Sequence, residues 1–206
     1  MSGSKTTPNS SDTIQRIINF GKTIIPGFTV FDGQEEIYFQ LNEYFNGKGD
    51  LDLKKGILLS GSIGSGKTTA MRLFEKATKR FRIISTRHIV RDTQINGFET
   101  IDKYGRSSFG TVYTPEGEGH PNKPISYCFD DLGLEDVNTK FYGNASNPIA
   151  EILLDRYECQ IKYGMKTFAT TNISIENLEQ IYGDRLRDRF KEMFNLLYMK
   201  GKSLRS

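Results

Sequence analysis

The stretch GILLSGSIGSGKTT, residues 56–69, decides the fold. Its apolar beginning predicts a short buried strand, and the glycines that follow predict a loop. The next segment, from about Lys67 to Arg80, carries apolar residues at helical spacing and predicts a helix. A strand, a glycine-rich loop and a helix in this order predict an α/β domain with a mainly parallel sheet that is covered by helices on both faces.

Residues 61–69 are predicted to bind phosphate groups, because they match the pattern GxxxxGK[ST]. Glycines let backbone N–H groups point at phosphate oxygens, and the start of the helix adds partial positive charge. Lys67 is expected to reach the β- and γ-phosphates, Thr68 to hold Mg²⁺, and Thr69 to contact the α-phosphate. The predicted nucleotide contacts are Gly61, Ser62, Ile63, Gly64, Ser65, Gly66, Lys67, Thr68 and Thr69.

A second polar site is predicted where the apolar stretch ISYCFDD, residues 125–131, ends in two acids. Asp130 is expected to hold Mg²⁺ through water, and Asp131 to activate an attacking water molecule. The alternative is a pair of acids that begins an ordinary exposed turn. A water-activating acid distinguishes hydrolases from small-molecule kinases, which do not need one at this place.

The rest of the chain alternates strands and helices, as a parallel sheet requires. Further strands are predicted in FRIIS (residues 81–85), KTFATTN (166–172) and FNLLYM (194–199). Further helices are predicted in RHIVRDTQI (87–95), SNPIAEILLDRYECQI (146–161), SIENLEQIY (174–182) and DRLRDRFKEM (184–193). Residues 105–124 are rich in glycine and proline and show no clear element.

Composition and charge favour a soluble cytoplasmic protein. Residues 1–11 predict a disordered tail without a secretory signal, residues 12–50 predict helices and a linker, and residues 51–206 predict the core domain. No apolar run approaches the ~18 residues that a membrane span needs. The formal net charge of +3 permits contact with nucleic acid but does not require it. Cys128 and Cys159 lie in apolar runs without metal-ligand spacing and predict buried thiols.

Five motifs follow one another in an order that resembles a known family. They are GSIGSGKTT, DDLGLE, TTN, YGDRLRDRF and GKSLR. From about Phe31 to Arg205 the chain resembles the AAA+ ATPases, and within them the DnaC-type helicase loaders and their IstB-type transposition relatives. The resemblance implies a P-loop NTPase fold, a five-stranded sheet with strand order 5-1-4-3-2, and a helical lid that is absent or minimal.

The resemblance also implies roles for single residues, with ATP and Mg²⁺ as cofactors. Lys67 and Thr68 match the Walker A pair, and Asp130 and Asp131 match the Walker B pair. Asn172 matches the first sensor, although asparagine after a strand is also an ordinary turn residue. The remaining assignments are the arginine finger, Arg189, and the second-sensor arginine, Arg205.

The same resemblance implies a homo-oligomeric ring or spiral that acts on single-stranded DNA, with a replicative helicase or a transposase as protein partner. The insertion between the second and third strands supplies the candidate DNA contacts Arg87, Arg91, Lys103 and Arg106. A solvated basic helix is the alternative for this segment.

Several functions therefore stay open at the level of sequence. The first is a helicase-loader-like ATPase that acts in replication, and the second is an IstB-like helper ATPase in transposition. A small-molecule or nucleotide kinase is the alternative from a different class. A nucleotide-binding assembly protein with negligible hydrolysis is a fourth, because Asp131 is shorter than the glutamate usual at its position.

Overall fold

The computed structural model describes residues 10–113, 119–135, 139–141 and 144–201. The helices are α1 (Ser10–Ile24), α2 (Glu35–Phe45), α3 (Lys67–Thr78), α4 (Thr86–Asn96), α5 (Phe98–Tyr104), α6 (Pro148–Tyr163), α7 (Ile175–Tyr182) and α8 (Asp184–Met193). The strands are β1 (Gly56–Gly61), β2 (Arg82–Ser85), β3 (Phe109–Tyr113), β4 (Gly119–Pro124), β5 (Tyr127–Asp130), β6 (Thr139–Phe141), β7 (Asn144–Ser146), β8 (Thr167–Thr171) and β9 (Phe194–Met199). Within these residues, no helix is both long and apolar enough to cross a membrane.

The central sheet contains five parallel strands in the order β2-β5-β8-β1-β9. When these five strands alone are numbered along the chain, the order reads 5-1-4-3-2 from the β9 edge. The strand β1 therefore lies between β8 and β9, and β5 lies beside β8. Because the strands are parallel, their carboxyl ends lie at one edge of the sheet. The order makes β5, β8 and β1 neighbours there, so the predicted site residues at their ends lie side by side.

Each face of the sheet is covered by its own apolar layer. Ile57 and Leu59 of β1 pack with α1, α2 and α3, whereas Leu58 packs with residues of the helices α4 to α8. Successive residues of a strand point to opposite faces, and both faces of this sheet are covered by helices. All three side chains are therefore fully buried. Burial of each contributes roughly 1.5–3 kcal/mol. The continuous apolar run of the sequence is thus explained by a strand that is buried on both faces.

The N-terminal helices belong to one of these two layers. Ile17 of α1 and Tyr38 of α2 pack in the same cluster as Ile57 of β1. Helix α1 begins at Ser10, so the last two residues of the segment predicted as a disordered tail are helical. The division of the chain near residue 50 stays a prediction.

Two short hairpins were not expected from the sequence. Residues 105–124 were predicted to lack a clear element, but they contain the antiparallel pair β3 and β4, with a bulge between Gly110 and Thr111. A second antiparallel pair, β6 and β7, precedes α6. The prediction was wrong because these strands pair through backbone hydrogen bonds, and their many Gly, Pro and polar residues hide the apolar alternation that marks a strand.

The helical insertion also differs from its prediction. One helix was expected in RHIVRDTQI, but α4 ends at Asn96 and α5 follows directly. Gly97 separates the two helices with φ 61°, a left-handed value that favours glycine. At α6 the expected cap is present, since the Asn147 side chain accepts a hydrogen bond from the backbone N–H of Ala150. Cys128 and Cys159 are buried free thiols.

A buried arginine holds the amino edge of the sheet together. The Arg156 guanidinium donates hydrogen bonds to Thr167 Oγ1 (2.8 Å) and to the carbonyl oxygens of Tyr104 (2.9 Å), Ile125 (3.1 Å) and Lys166 (3.0 Å). The side chain is fully buried, and burial lowers its pKa to about 10. It therefore stays charged at neutral pH and joins α5, α6 and the starts of β5 and β8.

Arg156→Met is expected to lower the free energy of unfolding by about 3 kcal/mol, because buried oxygens would lose their donor. Urea unfolding followed by circular dichroism measures the change. Arg72→Met removes an exposed arginine from α3 and serves as the control, with an expected change within ~0.5 kcal/mol. An unfolding free energy of Arg156→Met equal to that of the wild type would contradict the bridging role.

Candidate active site

The glycine-rich loop joins the end of β1 to the start of α3. Gly66 is the N-cap residue of α3 and has φ 90°, which only glycine adopts at low cost. At Gly61, an added Cβ would lie 2.4 Å from the carbonyl oxygen of Met199 in β9. Both positions therefore require glycine, one for its backbone conformation and one for close contact with the next strand.

The Lys67 side chain lies inside this loop. Its ammonium donates hydrogen bonds to the carbonyl oxygens of Gly61 (2.8 Å) and Ser62 (2.9 Å), and the residue is buried. Close by, the buried Ser65 hydroxyl has no hydrogen-bond partner in the described protein. A buried charge and an unsatisfied hydroxyl within a concave backbone loop suit an anionic ligand with several oxygens, such as a chain of phosphates.

The first acid of the DD pair is in contact with the loop. Thr68 Oγ1 donates to Asp130 Oδ1 (2.8 Å), and Thr170 Oγ1 donates to the same carboxylate oxygen (2.6 Å). Hydroxyl and carboxylate oxygens are ligands that Mg²⁺ prefers. The described residues contain no group of three or more His, Cys, Asp or Glu side chains that could hold a metal. A cation at this place would thus need phosphate and water oxygens to complete its coordination.

The second acid has a fixed backbone. The N–H of Asp131 donates to Thr170 Oγ1 (3.0 Å), and its carbonyl oxygen accepts from Thr86 Oγ1 (3.1 Å). Its φ of 62° is unusual for a residue other than glycine. Its carboxylate makes no hydrogen bond to another described residue, so it is available to a ligand or to water.

Asn172 lies at the same edge of the sheet, because β8 is the neighbour of β5. The two strand ends are joined by Thr171 Oγ1, which donates to the carbonyl oxygen of Leu132 (2.7 Å). Asn172 itself is partly exposed. The structure thus brings Lys67, Thr68, Asp130, Asp131 and Asn172 to one edge, which the order of the strands produces.

The two assigned arginines are placed differently. Arg189 lies on α8, where its guanidinium carbon is 5.2 Å from the centre of the Tyr157 ring and one nitrogen donates to the carbonyl oxygen of Arg185. These contacts are to α6 and α8, not to the glycine-rich loop of the same chain. Arg205 lies outside the described residues.

The four candidate DNA contacts are not equivalent. Arg87 and Arg91 are exposed one turn apart on α4, and the Arg87 Nε lies 3.4 Å from the carbonyl oxygen of Leu134. Arg106 forms an ion pair with Asp102 at 2.8 Å, which raises its pKa. Lys103 lies over the ring of the neighbouring Tyr104 at 4.9 Å. Arg87 and Arg91 therefore make weaker local contacts than Lys103 and Arg106.

Two residues of the site were missed by the sequence analysis. The Gln34 amide nitrogen donates to the carbonyl oxygen of Ser65 (2.8 Å), while its oxygen accepts from the N–H of Phe31 (3.1 Å). Gln34 thus ties the N-terminal linker to the loop, and no pattern in the sequence marks it. Thr170 was also missed, although a polar residue in the fully buried strand β8 is a signal for a specific hydrogen bond.

The sheet order, the glycine-rich loop and the polar strand ends together define an α/β fold with a phosphate-type loop at the carboxyl edge of a five-stranded parallel sheet. No protein-family model matches the chain, and no curated protein matches it. Solved structures share the fold.

The DnaI crystal structure matches with a TM-score of 0.56 and 18% identity, over 97% of this chain and 95% of DnaI. The DnaC helicase loader matches with a TM-score of 0.52 and 18% identity, over 90% of this chain and 99% of DnaC. AMPPCP-bound DnaA from Aquifex aeolicus matches with a TM-score of 0.57 and 18% identity, over 87% of this chain and 50% of that chain. At this identity the likeness shows a common fold.

Thr170→Val is expected to weaken Mg²⁺-dependent binding of an ATP analogue roughly tenfold, because the Asp130 carboxylate loses one of its two hydroxyl donors. Calorimetric titration with and without Mg²⁺ measures the effect. Thr93→Val removes an equally buried hydroxyl, which bonds the carbonyl oxygen of Ile89 in α4, and is the matched control. Equal affinities for both variants and the wild type would show that Thr170 does not position the acid.

Proposed function

We propose that this protein is an AAA+ ATPase that hydrolyses Mg²⁺-ATP and acts on DNA in replication, in the manner of a helicase loader. The observation that carries the proposal is the contact of Thr68 with Asp130, the first acid of the DD pair. It joins the phosphate-type loop to a strand-end acid, which is the arrangement a nucleoside triphosphatase needs. The fold shared with DnaI, the DnaC helicase loader and DnaA supports the link to replication.

Each residue at the carboxyl edge has a separate role in the proposed reaction. Residues 61–69 bind the phosphates through backbone N–H groups, and Lys67 adds the charge that meets the β- and γ-phosphates. Thr68 would hold Mg²⁺ together with Asp130, the latter through water, and the cation would supply positive charge near the transferring phosphoryl group. Asp131 accepts the proton of the attacking water, and Asn172 orients that water.

A small-molecule kinase fits this edge less well. The carboxylate of Asp131 has no hydrogen bond to another described residue, although its backbone is held by Thr170 and Thr86. An available carboxylate at this strand end suits the activation of water, which a small-molecule kinase does not need at this place. The transposition helper remains the second candidate, since it would use the same ATPase site with a transposase in place of a helicase.

Lys67→Ala is expected to abolish ATP binding and hydrolysis, because the positive charge that meets the β- and γ-phosphates is lost. Asp131→Asn is expected to keep ATP binding and to lower turnover ~100-fold or more, because only proton acceptance is removed. Nucleotide titration and phosphate release measure both quantities. The controls are Lys76→Ala and Asp12→Asn, which neutralise exposed residues on α3 and α1. Wild-type turnover in Lys67→Ala would refute the site.

Arg189 is proposed as an arginine finger that enters the site of a neighbouring subunit. Its contacts with Tyr157 and Arg185 hold it on the surface formed by α6 and α8. The residue is half-buried. A guanidinium delivered from a neighbour raises the rate of phosphoryl transfer by ~10³–10⁵ in known systems. Hydrolysis would then depend on assembly into a homo-oligomer. Arg205 is proposed as the second-sensor arginine, which contacts the nucleotide from the subunit that binds it.

A mixing experiment tests this assignment. Arg189→Ala is expected to bind ATP normally and to lose hydrolysis by ~10³-fold, whereas Lys67→Ala is expected to lose both binding and hydrolysis. A mixture of the two inactive variants should regain activity, because a Lys67→Ala subunit still offers Arg189 to an intact loop. Phosphate release is measured over a range of mixing ratios. No recovery at concentrations where the wild type self-associates would leave Arg189 with a structural role on Tyr157.

Single-stranded DNA is the proposed nucleic-acid partner, and α4 is the proposed surface. Arg87 and Arg91 lie on one exposed face of this helix. Contacts with phosphates would make the binding sensitive to salt. Lys103 and Arg106 are weaker candidates on the neighbouring α5 and the turn that follows it, since Lys103 lies over the Tyr104 ring and Arg106 is paired with a carboxylate. A replicative helicase is the proposed protein partner, from the likeness to the DnaC helicase loader.

A further inference from the structure

A second basic site lies at the amino edge of the sheet, opposite the phosphate-type loop. There, the strands β2, β5 and β8 begin, whereas β1 reaches the loop at the other edge. A cavity of about 690 Å³ opens between the end of α2, the turn before β2, the base of the β3–β4 hairpin and the turn between α6 and β8. None of the roles proposed above uses this cavity.

Five cationic side chains line the cavity, and none of the described residues that line it is acidic. They are Lys79, Arg80, Arg82, Lys123 and Lys166. Lys79, Arg82 and Lys123 are exposed. Lys166 is partly buried, and both its burial and the nearby Arg80 lower its pKa, while Asp52, outside the lining, raises it. Clustered like charges repel one another, so a bound polyanion would relieve that repulsion.

An exposed aromatic ring lies at the same opening. Tyr163, at the end of α6, is 50% exposed, and its ring packs edge-on against Phe109 at 5.3 Å. The Lys162 ammonium lies 5.3 Å from the same ring. The floor of the cavity is apolar, with the rings of Phe81 and Phe168 in contact at 4.8 Å. A ring that is held in place but half exposed offers a surface on which a flat base can stack.

The walls of the cavity are held in position by the buried Arg156. Its guanidinium bonds the carbonyl oxygens of Ile125 and Lys166, both of which line the cavity. On the opposite wall, Arg80 donates to the carbonyl oxygen of Phe45 at 2.7 Å. A site whose backbone is already fixed loses little conformational freedom when a ligand binds.

We propose that this cavity binds single-stranded nucleic acid, with phosphates on the cationic side chains and one base stacked on Tyr163. The exposed ring favours a single strand, because bases in a duplex are stacked on one another and offer no free face. The site goes beyond the proposed function, which places DNA on α4 at the other edge of the sheet. It requires neither ATP nor assembly through Arg189.

Fluorescence anisotropy with a labelled oligothymidylate, without nucleotide, tests the site. All variants are made in a chain that also carries Arg87→Ala and Arg91→Ala, so that the α4 surface does not contribute. The cavity variant combines Lys79→Asn, Arg82→Gln and Lys123→Gln. The control variant removes the same charge from exposed residues elsewhere, with Arg16→Gln, Lys22→Gln and Lys191→Gln. Thermal melting verifies that each variant is folded.

The cavity variant is expected to bind at least about tenfold more weakly at low salt. The slope of log affinity against log salt should fall by about 2, since each lost phosphate contact removes roughly 0.7 for a single strand. Tyr163→Ala is expected to lose roughly tenfold with an unchanged slope, and Tyr163→Phe to bind as the parent does. The control variant should keep the affinity of the parent.

Several outcomes would overturn the proposal. Equal losses in the cavity and control variants would mean a general charge effect. Equal affinity for a duplex of the same length, or displacement of the oligothymidylate by pyrophosphate at equal phosphate concentration, would mean a simple anion site. Unchanged binding in the cavity variant, with loss caused by Arg87→Ala and Arg91→Ala alone, would refute the cavity and support the α4 surface. The reverse result would refute α4 and support the cavity.

Discussion

The carboxylate of Asp130 is the point on which the geometry of the site depends. One of its oxygens accepts hydrogen bonds from Thr68, at the start of α3, and from Thr170, in β8. Three elements are therefore joined at one atom, and a charged acceptor makes each bond stronger than a bond between neutral groups. The arrangement is possible because β5 and β8 are neighbours in the sheet. A different strand order would separate the loop from the acid.

The core of the fold could be predicted because its central strands are buried on both faces. A strand such as β1, with Ile57, Leu58 and Leu59 fully buried, must be apolar throughout, and this leaves a clear mark in the sequence. The hairpins β3–β4 and β6–β7 left no such mark. Their strands are held by pairing between backbone groups, which nearly any residue can supply, so composition alone favoured an irregular segment.

The site could be predicted where a residue type is dictated by chemistry at fixed spacing. Gly66, Lys67 and Thr68 are such residues, and the acids at the end of β5 could be predicted because they close an apolar run. Gln34, Thr170 and Arg156 could not be found this way. Gln34 bonds the backbone of Ser65, 31 residues along the chain, and a backbone acceptor leaves no trace in the sequence of its partner. Arg156 is similar, since three of its four acceptors are carbonyl oxygens.

The glycine-rich loop is also held from outside at two places that belong to distant parts of the chain. Gln34, just before α2, bonds the carbonyl oxygen of Ser65, and the hydroxyl of Ser62 bonds the carbonyl oxygen of Gly201, just after β9. A ligand that moves Ser65 or Ser62 would change the free energy of the corresponding contact. A partner protein that binds either segment in one arrangement would therefore change the affinity of the loop for its ligand. By thermodynamic linkage, the ligand would change the affinity for the partner protein by the same factor. The two segments thus offer a route by which partner binding and loop occupancy are coupled without a partner touching the loop.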